Sequence, residues 1–125
     1  NEMALPSSDD ELLLLHNPKC SKSRATLALL EERGAVFATR RYLEEPLDAD
    51  ELRELGRRLG RSPIEFTRTK QAEFEAAGLS KSADAEAILQ AMAAQPILME
   101  RPVLVRGERA AIGRPPEDVL VLLGD

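Results

Sequence analysis

The single cysteine and the single histidine of this chain lie four residues apart in a basic stretch. In "HNPKCSKSR", His16 and Cys20 are accompanied by Lys19, Lys22 and Arg24. Positive neighbours lower the pKa of a thiol, and the thiolate is the nucleophilic form of cysteine. We therefore predict that Cys20 is an ionised nucleophile. The alternative, a small buried hydrophobic residue, fits flanks of lysine and serine less well than flanks of leucine.

The segment "CSKS" has the spacing of a C-x-x-C redox motif, with Ser23 in place of the second cysteine. An oxidised or adducted Cys20 must then be released by an outside thiol, such as glutathione or a partner protein. His16 could approach the thiolate and lower its pKa, or it could end a strand without a partner; the spacing leaves both open. One histidine and one cysteine are too few for a zinc site, so no metal is expected.

The hydrophobic pattern around this motif predicts a βαβ unit. "ELLLLH" is apolar over the length of a strand, as in strands buried on both faces. A helical pattern runs from Ser23 to a glycine cap at Gly34, and "VFATRRYL" alternates as a second strand. Two strands joined by a helix are normally parallel, with a right-handed connection. This order places Cys20 in the loop before the helix, where free N–H groups stabilise an anion.

The remainder of the chain predicts a helical block followed by two strands and a helix. Asp48 with Glu51 forms a capping-box pattern before leucines that end at Gly60, and another helix is expected over about 82–92. "PVLV" and "RAAI" form a hairpin, and "RPPEDVLVLL" a final helix. The predicted fold is α/β and thioredoxin-like: one domain over 11–125, with a helical insertion at about 48–95 between the βαβ and ββα halves.

Composition limits the classes of function. Of 125 residues, 43% are apolar and 31% charged, as in soluble globular proteins. No apolar run approaches the roughly 18 residues of a membrane helix, and the acidic start is unlike a signal peptide. We expect a cytoplasmic monomer, with positions 1–10 a flexible tail or cloning remnant. A net charge of -5 argues against nucleic-acid binding, so any anion site must be local.

Three arginines stand out by context among seventeen basic residues, most of which are expected to be solvated. Arg68 lies in "FTRTK", a non-periodic stretch between predicted helices. Arg101 directly precedes Pro102, and Arg114 directly precedes another proline. Because a following proline restricts the backbone, it would hold each of these two arginines in place. All three are candidates for binding an anion.

The combined pattern resembles the glutaredoxin-coupled arsenate reductases, whose signature is histidine, three residues, cysteine, three residues, arginine. His16, Cys20 and Arg24 match it, and the resemblance continues through "ERPVLV" and "GRPPEDV". It implies a thioredoxin fold with a helical insertion and a cis bond before Pro102. It also implies that Cys20 is the nucleophile and that His16 and Ser23 tune its thiolate. The implied oxyanion-binding residues are Arg24, Arg68, Arg101 and Arg114.

The resemblance further implies that arsenate is the substrate, glutathione a co-substrate, glutaredoxin a partner protein, and that no cofactor is bound. Two alternatives stay open. One is a thiol reductase of the same fold that acts on glutathionylated proteins. The other is a regulatory protein like Spx, which binds RNA polymerase and usually carries a second cysteine where this chain has Ser23. The loop also departs from the common "CGTSR" by reading "CSKSR", with Ser21 and Lys22 at the two changed positions; Lys22 adds a positive charge next to the expected oxyanion site.

Overall fold

The computed structural model describes residues 4–124, which divide into two compact units. One unit comprises the residues up to Glu45 together with those from Arg101 onward, and carries the sheet. The other is Pro46–Glu100, and is helical. The helical insertion predicted at about 48–95 falls inside the second unit.

The sheet unit contains four strands in the order β2-β1-β3-β4. Strand β1 (Leu12–His16) leads through helix α1 (Ser21–Glu32) to β2 (Ala38–Arg41), which pairs with β1 in parallel. β3 (Val103–Arg106) is antiparallel to β1, and β4 (Arg109–Ile112) completes a hairpin with it. The predicted α/β class, the βαβ unit and the hairpin are confirmed.

The core of this unit explains the continuous leucine run. β1 lies between two other strands, and Leu14 is fully buried with Leu30 from α1 and Leu104 from β3. Val119 and Leu122, near the C-terminal end, complete the cluster. A central strand covered on both faces has no solvent side, so its sequence does not alternate.

The last segment differs from the predicted helix because it is a 3-10 helix, Pro116–Leu122. Its bonds join residues three apart, as in Asp118 N–H to the Pro115 carbonyl at 3.0 Å. The segment has only seven residues, and two of them, Val119 and Val121, are β-branched, so an α-helix here would gain little stability from further turns. The segment still buries the predicted apolar side chains.

The N-terminal segment also differs from expectation, because part of it belongs to the fold. Pro6 is buried, and Arg106 Nε donates a hydrogen bond of 2.7 Å to the Asp9 carbonyl. Gly107, with φ of 53°, packs so closely on Asp9 that a Cβ would clash. Within the segment predicted as a flexible tail, positions 1–10, Pro6 and Asp9 thus contact the fold, and residues 1–3 lie outside the described part.

The helical unit contains three α-helices: α2 (Ala49–Leu59), α3 (Ala72–Ala76) and α4 (Ala85–Ala94). A short 3-10 turn at Pro63–Phe66 lies between α2 and α3, and another at Pro96–Leu98 follows α4. The predicted capping box is present, with Glu51 N–H donating to Asp48 Oδ1 at 2.8 Å, and Gly60 ends α2 with φ of 70°. None of the helices in residues 4–124 has the length and apolarity that a bilayer crossing requires.

Candidate active site

Cys20 occupies the N-cap of α1, the position just before the first helical residue. Its backbone is extended, with φ of -99° and ψ of 126°, and its N–H donates to the Asn17 carbonyl at 3.0 Å. The side chain is half-buried. An N-cap side chain faces the free N–H groups of the second and third helical residues, here Lys22 and Ser23. The structure thus places the sulfur where the helix start favours negative charge.

The pKa of the Cys20 thiol results from opposing influences. Burial raises the pKa, while the Ser23 N–H, the charge of Arg101, the Lys22 N–H and the donor group of Arg101 all lower it. The lowering effects together exceed that of burial, so the pKa lies below the ordinary value for cysteine. A lowered pKa increases the thiolate fraction at neutral pH, and the thiolate is the attacking species.

His16 reaches the start of the helix through the Ser23 hydroxyl. Its Nδ1 lies 2.7 Å from Ser23 Oγ, which also accepts the Asn17 N–H at 3.0 Å. His16 therefore has a partner, which excludes the alternative of an unpartnered strand end. Burial, followed by the charges of Arg41 and Arg24, lowers the pKa of His16. A neutral Nδ1 can accept the serine proton, so this network positions Ser23 and adds no positive charge beside the thiolate.

Arg101 and Arg114 flank the β3–β4 hairpin in the sequence and contact each other. The bonds before Pro102 and Pro115 are both cis. Arg114 Nη1 donates to the Arg101 carbonyl at 3.3 Å, while Arg101 acts directly on the Cys20 sulfur. The structure therefore brings Cys20, Ser23 and Arg101 together, with Arg114 supporting the backbone of Arg101.

Arg24 and Arg68 each contact a backbone carbonyl. Arg24 Nη1 donates to Pro18 at 3.0 Å and so ties α1 to the loop that carries Cys20. Within the helical unit, Arg68 donates through Nη1 to Ile97 at 3.2 Å and through its N–H to Leu98 at 2.7 Å. Their predicted roles in binding the oxyanion stay predictions. Among residues 4–124, no cluster of three or more His, Cys, Asp or Glu could hold a metal.

Arg41 is a residue that no sequence motif singles out and that the sheet register places beside His16. The alternation of "VFATRRYL" indicated a strand without indicating its pairing. Only the parallel register with β1 brings this arginine beside His16, the last residue of the strand that precedes the Cys20 loop.

Gly113 is a packing constraint on this site, and we predict that replacing it by alanine destabilises the fold. Its N–H donates to the Pro102 carbonyl at 2.9 Å. A Cβ at this position would lie 2.7 Å from Thr26 Oγ1 and 2.9 Å from Pro102 Cγ. Such overpacking costs about 1–3 kcal/mol. Gly113→Ala should lower the free energy of unfolding by that amount in urea titrations.

Gly124→Ala is the matched control for Gly113→Ala. A Cβ there would meet only the Val121 carbonyl, at 3.9 Å, which is an ordinary contact. The control should leave the free energy of unfolding within about 0.5 kcal/mol of the unsubstituted protein. Equal urea midpoints for the two variants would show that Gly113 is not packed as described.

Comparisons with known proteins agree on one family. The sequence profile described as the ArsC family matches residues 15–122. "Uncharacterized protein YfgD" of Escherichia coli K12 is 46% identical over 116 residues, covering 91% of this chain and 98% of that protein. "Arsenate reductase" of Neisseria meningitidis serogroup B is 40% identical over 115 residues, covering 90% and 98%. The structure of "Arsenate reductase from Vibrio cholerae" is 38% identical, with a TM-score of 0.85, covering 94% and 99%.

Proposed function

The chain belongs to the ArsC family, and we propose that it reduces arsenate to arsenite through an adduct between Cys20 and arsenic that glutathione and glutaredoxin resolve. The observation that carries this proposal is the position of Cys20 at the N-cap of α1, where the N–H groups of the helix start and the Arg101 guanidinium lower the pKa of the thiol. A thiolate and a guanidinium at one place supply a nucleophile and an anion-binding group.

In the proposed first step, the Cys20 thiolate attacks arsenic. An As–S bond forms, one As–O bond breaks, and the departing oxygen takes up protons to leave as water. Arsenic stays pentavalent in this adduct. The planar donors of Arg101 suit the oxyanion's oxygens, and Arg114 holds the Arg101 backbone through its 3.3 Å bond to the carbonyl. Arg24 is proposed as a further oxyanion ligand.

The second step requires a thiol from outside, because Cys20 is the only cysteine in the chain. The glutathione sulfur bonds to arsenic, and a second As–O bond breaks, its oxygen leaving as water. A glutaredoxin thiolate then attacks the glutathione sulfur: an S–S bond forms between them, the bond from arsenic to that sulfur breaks, and its electron pair stays on arsenic. Water finally replaces Cys20 on the trivalent arsenic, which releases arsenite. Overall, arsenate and two thiols give arsenite, one disulfide and one water. The two thiol sulfurs provide the two electrons that take arsenic from the pentavalent to the trivalent state, and the Cys20 thiol is regenerated.

The proposed function predicts that NADPH consumption in a coupled assay depends on every component. The mixture contains the purified protein, arsenate, glutathione, glutaredoxin and glutathione reductase, with NADPH followed by absorbance. Omitting arsenate, glutathione or glutaredoxin should each reduce the rate to the background without the protein. A rate that does not depend on arsenate would contradict the proposal.

The same assay separates the two alternatives. A glutathionylated peptide in place of arsenate, with glutaredoxin left out because it reduces such peptides itself, tests the thiol-reductase alternative, which predicts turnover of the peptide and none of arsenate. A regulator like Spx predicts turnover of neither. Ser23 is fully buried and hydrogen-bonded to His16 and Asn17, an arrangement in which it supports the helix start and offers no second redox group.

A further inference from the structure

Arg41 combines a fixed backbone with an accessible guanidinium. It ends β2, which is an edge strand, and its carbonyl accepts the N–H groups of Glu44 at 2.9 Å and Glu45 at 2.8 Å. The preceding Arg40 is 2% exposed, whereas the Arg41 side chain is 59% exposed. Within residues 4–124, the ion-pair partner of Arg41 is Glu44, at 3.9 Å. This distance is much longer than a charge-assisted hydrogen bond, so the guanidinium can bind another anion at small cost.

The sheet register and the His16 network relate Arg41 to Cys20. His16 and Arg41 are partners in the parallel ladder, and His16 contacts Ser23, whose N–H acts on the Cys20 sulfur. The charge of Arg41 acts on the His16 imidazole, whereas that of Arg101 acts on the sulfur itself. The sheet unit therefore has one cation, Arg101, at the sulfur and a second cation, Arg41, beside His16.

Ligands of different length would use these two cations differently. A small oxyanion bonded to the sulfur reaches Arg101 directly. The carboxylates of a peptide thiol are separated from its sulfur by several bonds, so they reach a cation further from the thiolate. On a chain with a net charge of -5, a local cation is needed to attract such an anion.

We propose that Arg41 is the carboxylate-binding residue of a subsite for the thiol co-substrate, which is an anionic peptide thiol. This inference rests on the proposed function for the identity of that thiol as glutathione. Arg41 binds and orients the thiol and takes no part in the bond changes at arsenic. Glu44 competes with the carboxylate for the same guanidinium.

The test uses a mixed disulfide and needs no arsenate. Treating the protein with dithionitrobenzoate joins Cys20 to thionitrobenzoate. An added thiol then attacks Cys20 Sγ: a new S–S bond forms, thionitrobenzoate leaves as a coloured thiolate, and the proton of the added thiol goes to solvent. Glutathione is compared with glutathione diethyl ester, whose carboxylates are blocked. The mixed disulfide of free cysteine and thionitrobenzoate serves as the reference, and the rate of each thiol with the protein is divided by the rate of the same thiol with this reference.

The unsubstituted protein should prefer glutathione over the ester, and sodium chloride should reduce the preference. Arg41→Gln should lower the glutathione rate about three- to fivefold and leave the ester rate unchanged, as expected for one partly exposed ion pair. Glu44→Gln should raise the glutathione rate. Arg33→Gln, which removes an exposed arginine at the far end of the 12-residue α1, should change neither rate.

Equal effects of Arg41→Gln on both thiols, or no effect on either, would overturn the subsite. Because release of thionitrobenzoate does not require arsenate, this result is independent of the coupled assay. If the unsubstituted protein reduces arsenate and Arg41→Gln keeps the preference for glutathione over the ester, the subsite is refuted and the proposed function is not. If the unsubstituted protein does not reduce arsenate and Arg41→Gln loses the preference for glutathione, the proposed arsenate reduction is refuted and the subsite is not.

Discussion

Replacing Cys20 by serine should lower arsenate reduction to the rate measured without the protein, a loss of at least about a thousandfold. A serine hydroxyl is not ionised near neutral pH, so the As–S adduct cannot form and no other cysteine can replace it. The measurement is NADPH consumption in the complete coupled assay, with the variant and the unsubstituted protein at equal concentrations.

The position of Cys20 also predicts that this variant keeps its fold. Serine is among the best N-cap residues, and Cys20 is the N-cap of α1. Cys20→Ser should therefore be as stable as the unsubstituted protein, or more stable by about 0.5–1 kcal/mol, in urea titrations. Full stability without activity assigns the loss to chemistry. Activity retained by a stable Cys20→Ser protein would refute covalent catalysis at this residue.

Patterns among residues close in sequence predict much of the sheet unit and of the loop around Cys20. A run of four leucines specified the central strand because a strand covered on both faces needs no polar side. The Asp48–Glu51 pair and Gly60 specified the ends of α2, since capping depends on residues close in sequence. The start of α1 was predicted two residues late, at Ser23, because Ser21 and Lys22 carry no apolar signal.

Features that depend on pairing between distant segments could not be read from the sequence. The place of Arg41 beside His16 follows from strand register, which a single strand pattern does not specify. The contact of Arg106 with the Asp9 carbonyl joins residues 97 apart, so the N-terminal segment had no local signal of belonging to the fold. The resemblance implies a role for Ser23, whereas the bond of Ser23 to His16 follows from packing α1 on β1.

Replacing Arg101 by alanine should lower kcat/KM for arsenate about a hundredfold, because two separate contributions are lost. The guanidinium lowers the pKa of Cys20, and it is the proposed ligand for the oxyanion, where one donor contributes about 10²–10³-fold in rate. Arg101→Lys keeps the charge and loses the planar donor geometry, so it should restore only part of the activity. Arg109→Ala, which removes an exposed arginine from β4, is the matched control and should be fully active.

The pH dependence separates the two contributions of Arg101. A cation beside the sulfur favours the thiolate, so its removal raises the pKa of Cys20 and moves the pH profile of iodoacetamide alkylation to higher pH. At a pH above the Cys20 pKa of both proteins, Arg101→Ala should be alkylated as fast as the unsubstituted protein. Its arsenate reduction should still be impaired there, because the oxyanion ligand remains absent. If arsenate reduction recovered fully at that pH, Arg101 would act on the thiolate alone and would not bind the substrate.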